Sequence, residues 1–375
     1  MRLRSAAAAA ATTVLGAGAA AVAAGRYACD AALKPARTRP LPADQPLTVH
    51  AVDGDRVTLT RSLASLRPGT YGLTGGETHA VVGPVLESAP HPPDCVVRRL
   101  ERVTHGSLKP GARLWLTPQV HIGNPRDALG LDHADVDVPG ELGPLPAWFV
   151  PGARDTWVIT VHGLGTTREH PMTVLPFLHG QGVPVLDLAY RGDLGAPRSP
   201  DGISHLGDTE WRDLDAAIRY AVRYGAETVV LYGWSTGATM ALHAAARSAL
   251  RNRIKGLVLD SPVLDWRATV RALASADGTP GLLLPLAVRA AQGRTGLDGG
   301  PLTGSSDPDR MTVPTLILHG PDDGIAPWGP SQALADARPD LVTLHTVEHA
   351  PHASSWNADR EDYEESLRRF LTPLM

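Results

Sequence analysis

The sequence predicts an α/β protein, a doubly wound and mostly parallel sheet behind a small β-rich amino-terminal domain. From Val136 onward, short apolar runs alternate with helical segments, the pattern of a parallel sheet covered by helices. From Leu47 to about Leu131 the runs are shorter, alternate in polarity and are broken by turn residues. The chain has 375 residues, 43% hydrophobic and 20% charged, an ordinary globular balance with enough length for one large core and a smaller domain. A formal net charge of -4 argues against nucleic acid as a partner, which usually requires a basic surface. A single long uncharged stretch excludes a polytopic membrane protein.

That stretch is at the start. Arg2 and Arg4 precede an Ala-rich run from Ser5 to Gly25, closed by Arg26. Basic start, apolar middle and small residues at the end form the layout of an export signal, with Ala21-Val22-Ala23 as a cleavage site. The run is also long enough for a membrane anchor. Residues 1–25 are therefore expected to be a signal peptide or an amino-terminal anchor, giving membrane association through residues 5–25 and an extracytoplasmic location. Residues 26–46 follow as a Pro-rich linker, most clearly from Pro35 to Pro46. Cys29 and Cys95 allow one disulfide or two free thiols, and no Cys/His spacing suggests a metal site.

Residues 47–131 make the β-rich domain. Thr48–Val52 and Arg56–Thr60 flank Asp53-Gly54-Asp55, a hairpin signal. Further strands are expected at Ala80–Val82, Cys95–Val97 and Arg113–Leu116. No cluster here suggests chemistry. In the larger unit, residues 132–375, strands are expected at Ala147–Val150, Trp157–Val161, Val183–Leu188, Thr228–Tyr232, Gly256–Leu259, Thr315–Leu318 and Leu341–Leu344. Asp208 is placed as the cap of a helix carrying Trp211, Leu214, Ile218 and Ala221 on one face, stopped by Gly225. The last helix carries Tyr363, Leu367, Phe370 and Leu371 at helical spacing. Residues 267–311, with the apolar segment Leu282–Val288, read either as a lid or as a helix packed on the sheet. No Gly-rich nucleotide motif occurs, and no organic cofactor is implied.

The chemistry lies in Leu231-Tyr232-Gly233-Trp234-Ser235-Thr236-Gly237. An apolar strand runs into Gly-x-Ser-x-Gly, which opens a helix of small residues. A nucleophile on so tight a turn needs glycine two residues before and two after it. The turn lifts the Ser235 hydroxyl above the sheet and aims the helix amino terminus at it, so the Thr236 N–H faces a developing oxyanion.

In this stretch the chain resembles the α/β-hydrolase fold, from about Val136 to the end. The resemblance implies an order of serine, acid and histidine along the chain. His319-Gly320-Pro321-Asp322-Asp323-Gly324-Ile325-Ala326-Pro327 resembles the family's H-G-x-x-D-x-x-V-P segment and points to Asp323. Asp322 and Asp260 are the alternatives. Glu348-His349-Ala350-Pro351-His352 resembles the loop that carries the general base and points to His352, with His349 and His345 as surface or supporting groups. His162-Gly163-Leu164-Gly165 resembles the oxyanion segment, which implies the Leu164 N–H as second donor. Tyr190-Arg191-Gly192-Asp193 resembles the family's Y-R-G loop.

The resemblance implies a serine hydrolase. Ser235 attacks a carbonyl, His352 takes its proton and Asp323 orients the imidazole. The expected substrate is a small-molecule or lipid acyl compound, an ester more readily than an amide. A peptidase remains open, with Glu210 and Asp213 as the only candidates for gripping a peptide amine. An acyltransferase or a non-catalytic binding protein on the same fold also remains open.

Overall fold

The computed structural model describes residues 20–34 and 45–375. The run expected to direct export or anchoring therefore lies largely outside the described residues. Its last part, 20–25, begins helix α1, which covers 20–33. Residues 26–33, placed in the linker by the sequence, are thus helical. Ala28, Cys29, Ala32 and Leu33 form a buried face on α1, where small side chains let the helix pack closely. No helix among the described residues is long and apolar enough to cross a membrane. Cys29 and Cys95 are both buried and both free, which removes the disulfide.

Six strands close into an antiparallel barrel: β1 (Leu47–Asp53), β2 (Arg56–Thr60), β3 (Tyr71–Gly75), β4 (Thr78–Val85), β5 (Cys95–His105) and β6 (Arg113–Thr117). The predicted hairpin pairs Asp53 with Arg56, and Gly54 in the turn has the positive φ that glycine tolerates. Strand β3 (Tyr-Gly-Leu-Thr-Gly) escaped the sequence reading, because glycine hides the alternation. The barrel closes where Leu47 pairs with Leu114. Buried Arg98 donates to the carbonyls of Gly83, Ser65, Arg67 and Gly69, so its charge is solvated by backbone. Desolvation nevertheless lowers its pKa to about 10.

After helix α2 (Pro125–Leu129) the chain builds an eight-stranded sheet. Its strands are β7 (Ala134–Pro139), β8 (Pro144–Val150), β9 (Thr156–Val161), β10 (Val185–Leu188), β11 (Thr228–Trp234), β12 (Ile254–Asp260), β13 (Thr315–His319) and β14 (Val342–Thr346). Their spatial order is β14-β13-β12-β11-β9-β10-β8-β7. From β10 to β14 all pairings are parallel, while β7 and β8 run antiparallel at one edge. Strands β9 and β10 are buried along their whole length, as expected for a sheet covered on both faces.

The covering helices include α3 (Leu175–Gly180), α4 (Trp211–Arg223), α5 (Thr236–Arg247), α8 (Gly329–Ala337), the short α9 (Ser355–Ala358) and the last long helix α10 (Arg360–Leu371). Asp208 does not cap α4. The helix starts later, and the Asp208 carboxylate pairs with Arg247 instead. Helices α6 (Trp266–Ala276) and α7 (Leu284–Thr295) occupy the region read as lid or packed helix. They bury Val270, Leu273, Ala287 and Ala291 against α1, in a cluster that also contains Leu164, Leu206, Val263 and Ile325. This third layer sits on the loops at the carboxyl ends of the strands.

The barrel is pinned to the sheet domain at two places. Asn357, on α9, donates to the carbonyls of Thr70 and Pro118, and its own carbonyl accepts from the Thr70 N–H. Glu169 accepts from the Gly123 N–H and from the Gln119 side chain.

Candidate active site

The sheet's strand order reverses between β9 and its neighbours β10 and β11, and the chemistry-bearing loops gather at the carboxyl ends there. Ser235 joins β11 to α5 with φ 54° and ψ -118°, a conformation that is strained for any residue with a Cβ. Three glycines permit it. A Cβ on Gly233 would overlap the Gly237 backbone, one on Gly237 would overlap the Val161 and His162 carbonyls, and one on Gly163 would press on Ser235 itself.

Asp323 follows β13, and His352 lies in the loop after β14. The structure brings them to Ser235. His352 Nε2 lies 2.7 Å from Ser235 Oγ, and His352 Nδ1 lies 2.7 Å from Asp323 Oδ2. Nδ1 donates to the carboxylate, which leaves Nε2 as the acceptor for the serine hydroxyl. Ser235 and His352 are 3% and 8% exposed, so the pair is shielded from bulk water.

Asp323 is held more firmly than the sequence reading foresaw. Its Oδ1 accepts from the N–H groups of Ile325 and Ala326, both at 2.8 Å. Its Oδ2 is shared with His319 Nε2 at 3.0 Å, and His319 Nδ1 meets the Ser331 hydroxyl at 2.8 Å. Burial alone would raise the Asp323 pKa. The His352 charge and the bonds from His319 and His352 outweigh it and hold the carboxyl well below the usual range. The supporting His319 was missed, although the His-Gly preceding the acid was its signal.

The other acids and bases stand apart. Asp322 pairs with His349 at the surface, and His345 contacts Ser366 and Asp362. Asp260 is buried behind the site, accepting from the hydroxyls of Ser261, Ser355 and Tyr363. Burial raises its pKa to about 6 in spite of them. Asp213 is clasped by Arg191, and Glu210 accepts from the Ser204 hydroxyl and the His205 and Gly207 N–H groups. Neither acid is open to a peptide amine. His162 bridges the Gly163 carbonyl and Asp193, fixing its loop. Burial would lower its pKa, but Asp193 raises it.

The oxyanion side differs from expectation in one atom. Thr236 is the first residue of α5, so its N–H has no acceptor within the helix. The Leu164 N–H is not open: it donates to the Thr236 hydroxyl at 2.9 Å. A cavity of about 750 Å³ begins at Leu164 and Tyr190 and runs to the barrel residues Thr74, His79 and Gln119. Among the described residues no group of His, Cys, Asp and Glu side chains could hold a metal ion.

Residues 156–287 match the alpha/beta hydrolase fold family, and residues 48–117 match a domain of unknown function (DUF8805). A stretch of 45 residues is 49% identical to the putative carbamate hydrolase RutD of Variovorax paradoxus (strain S110). It covers 12% of this chain and only 16% of that relative's length. An esterase from Pyrococcus furiosus superposes with a TM-score of 0.54 at 22% identity, over 68% of this chain and 95% of its own. An alpha-beta hydrolase from Vibrio vulnificus gives 0.50 at 19% identity, over 64% of this chain and 81% of its own. The sheet domain therefore has the α/β-hydrolase fold, and the barrel is an addition in front of it.

Proposed function

We propose that the protein is a serine hydrolase that cleaves a carboxylic ester, or an amide, through an acyl-enzyme on Ser235. The observation that carries this reading is the unbroken chain of short contacts from Ser235 through His352 to Asp323. Ser235 Oγ attacks the carbonyl carbon while His352 Nε2 takes its proton. Asp323 keeps the imidazole in the required tautomer and stabilises its cation. The tetrahedral oxyanion is received by the Thr236 N–H, and by the Leu164 N–H once the Thr236 hydroxyl turns away. His352 returns the proton to the departing alcohol or amine. Water, deprotonated by His352, then attacks the acyl carbonyl and releases Ser235. The likeness to esterases and the short match to a putative carbamate hydrolase agree with acyl chemistry.

The test is a fluorophosphonate probe on the parent and on Ser235→Ala, followed by p-nitrophenyl esters of increasing chain length. Labelling of the parent alone, with kcat lowered by roughly 10⁶ in the variant, is expected. A folded parent that is neither labelled nor active on any ester would leave a binding protein on this fold as the better reading.

A further inference from the structure

The cavity that begins at Leu164, whose N–H meets the residue after Ser235, has two walls of different origin. One comes from the sheet domain, with Leu164, Tyr190 and Arg198. The other comes from the barrel, with His79 and Gln119, and Lys34 at the end of α1 reaches the lining as well. The carboxylates on the lining are already engaged. Asp193 holds His162 and the Tyr190 N–H. Glu169 holds Gly123, Gln119 and Thr167. Glu210 holds Ser204, His205 and Gly207. The cations are less so. Arg191 is bound by Asp213 and Glu141, and Lys34 has Asp30, which it shares with Arg294. Arg198 has no ion pair or hydrogen bond among the described residues. A ligand cation would find its acceptors occupied, whereas a ligand anion would find an open guanidinium.

On the barrel wall, His79 is 5% exposed, and its Nε2 meets the Gln119 carbonyl at 3.0 Å. That nitrogen must carry the proton, because a carbonyl only accepts. Nδ1 is then a buried lone pair without a partner among the described residues. His79 lines the cavity, but Nδ1 has almost no surface of its own, so a ligand donor reaches it only if the wall around it shifts.

We infer that this cleft is the recognition subsite of the proposed hydrolase, and that it selects a small ester bearing an anionic group for Arg198 and a hydroxyl or N–H for His79. The inference rests on the acyl chemistry proposed for Ser235 only for the orientation of the ligand. The barrel is then a specificity module that supplies half of the pocket.

A binding measurement separates the two claims. In the full chain carrying Ser235→Ala, NMR titration compares methyl butyrate, monomethyl succinate and monomethyl malate, which carry neither group, the carboxylate alone, and carboxylate with hydroxyl. We expect the succinate ester to bind about tenfold more tightly than butyrate, and Arg198→Ala added to Ser235→Ala to erase that advantage while leaving butyrate unchanged. Arg198→Lys should keep part of it. The malate ester should gain a further few-fold, lost with His79→Phe. Equal affinity for charged and neutral esters, or a preference that survives Arg198→Ala, overturns the anion assignment. A malate advantage that survives His79→Phe overturns the role of the barrel. Probe labelling of the parent reports on Ser235 independently of either result.

Discussion

The hydroxyl of Thr236 stands where a substrate oxygen is expected. It accepts the Leu164 N–H and so satisfies a buried donor while the site is empty. In the proposed reaction a carbonyl substrate would take over that donor only if the threonine side chain rotated. Two variants of one residue separate filling from gating. Thr236→Ala removes both methyl and hydroxyl and leaves the Leu164 N–H open, so kcat/KM on a good ester should hold or rise. Thr236→Val keeps the bulk in the hole without the hydrogen bond, so kcat should fall by about 10- to 100-fold. Steady-state kinetics on a p-nitrophenyl ester read both. Equal rates for the two variants would mean that the Leu164 N–H takes no part in the reaction.

At the scale of elements, the turn at Ser235 and the loops of Asp323 and His352 were legible in the sequence because each carries a local signature. Gly233 and Gly237 are the only residue type that fits around Ser235, and an apolar strand must precede it. What was not legible depends on long-range packing. Helix α1 looked like signal and linker, since its buried face is Ala28, Cys29, Ala32 and Leu33 and its amphipathic contrast is weak. Strand β3 was masked by its glycines, and Arg98 became a core residue only through carbonyls from four other positions. His319 and His79 need the fold to reveal what they face. Helix α1 also has a consequence for access. It buries the same apolar cluster as Leu164, Val263 and Ile325, which lie in the loops after β9, β12 and β13, and Ser235 is 3% exposed. A chain that starts at residue 45 lacks this roof. Its Ser235 should be labelled faster by the fluorophosphonate probe, while its Tm falls because the faces of α6 and α7 lose their cover. Unchanged labelling in a folded, shortened chain would show that α1 does not restrict the site.

Across the whole molecule, stability is set by a sheet buried on both faces, and two carboxyls are trapped inside it. Asp187 on β10 is fully buried; Thr160 donates to its Oδ1, and its Oδ2 has no hydrogen-bond partner among the described residues. Burial raises its pKa to about 7, and that of Asp260 to about 6. The unfolded chain ionises both near pH ~3.9. Between these values the native state holds protons that the unfolded state has released, so their contribution is complete below about pH 4 and is lost as pH rises to about 7. Asp323 acts in the opposite sense. Its lowered pKa contributes stability above about pH 4 that disappears in acid. These three groups together place the most stable range on the mildly acidic side of neutrality. Asp187→Asn is close in shape to the protonated acid and does not titrate. Its Tm relative to the parent should therefore climb between about pH 4 and 7, reach several degrees, and level off above. Thermal melts of both proteins at pH 5, 6, 7 and 8 decide the matter. A constant difference across that range would mean that Asp187 is ionised in the native sheet, with its charge met by Thr160 and the neighbouring His162 and Arg168 cations rather than removed by a proton.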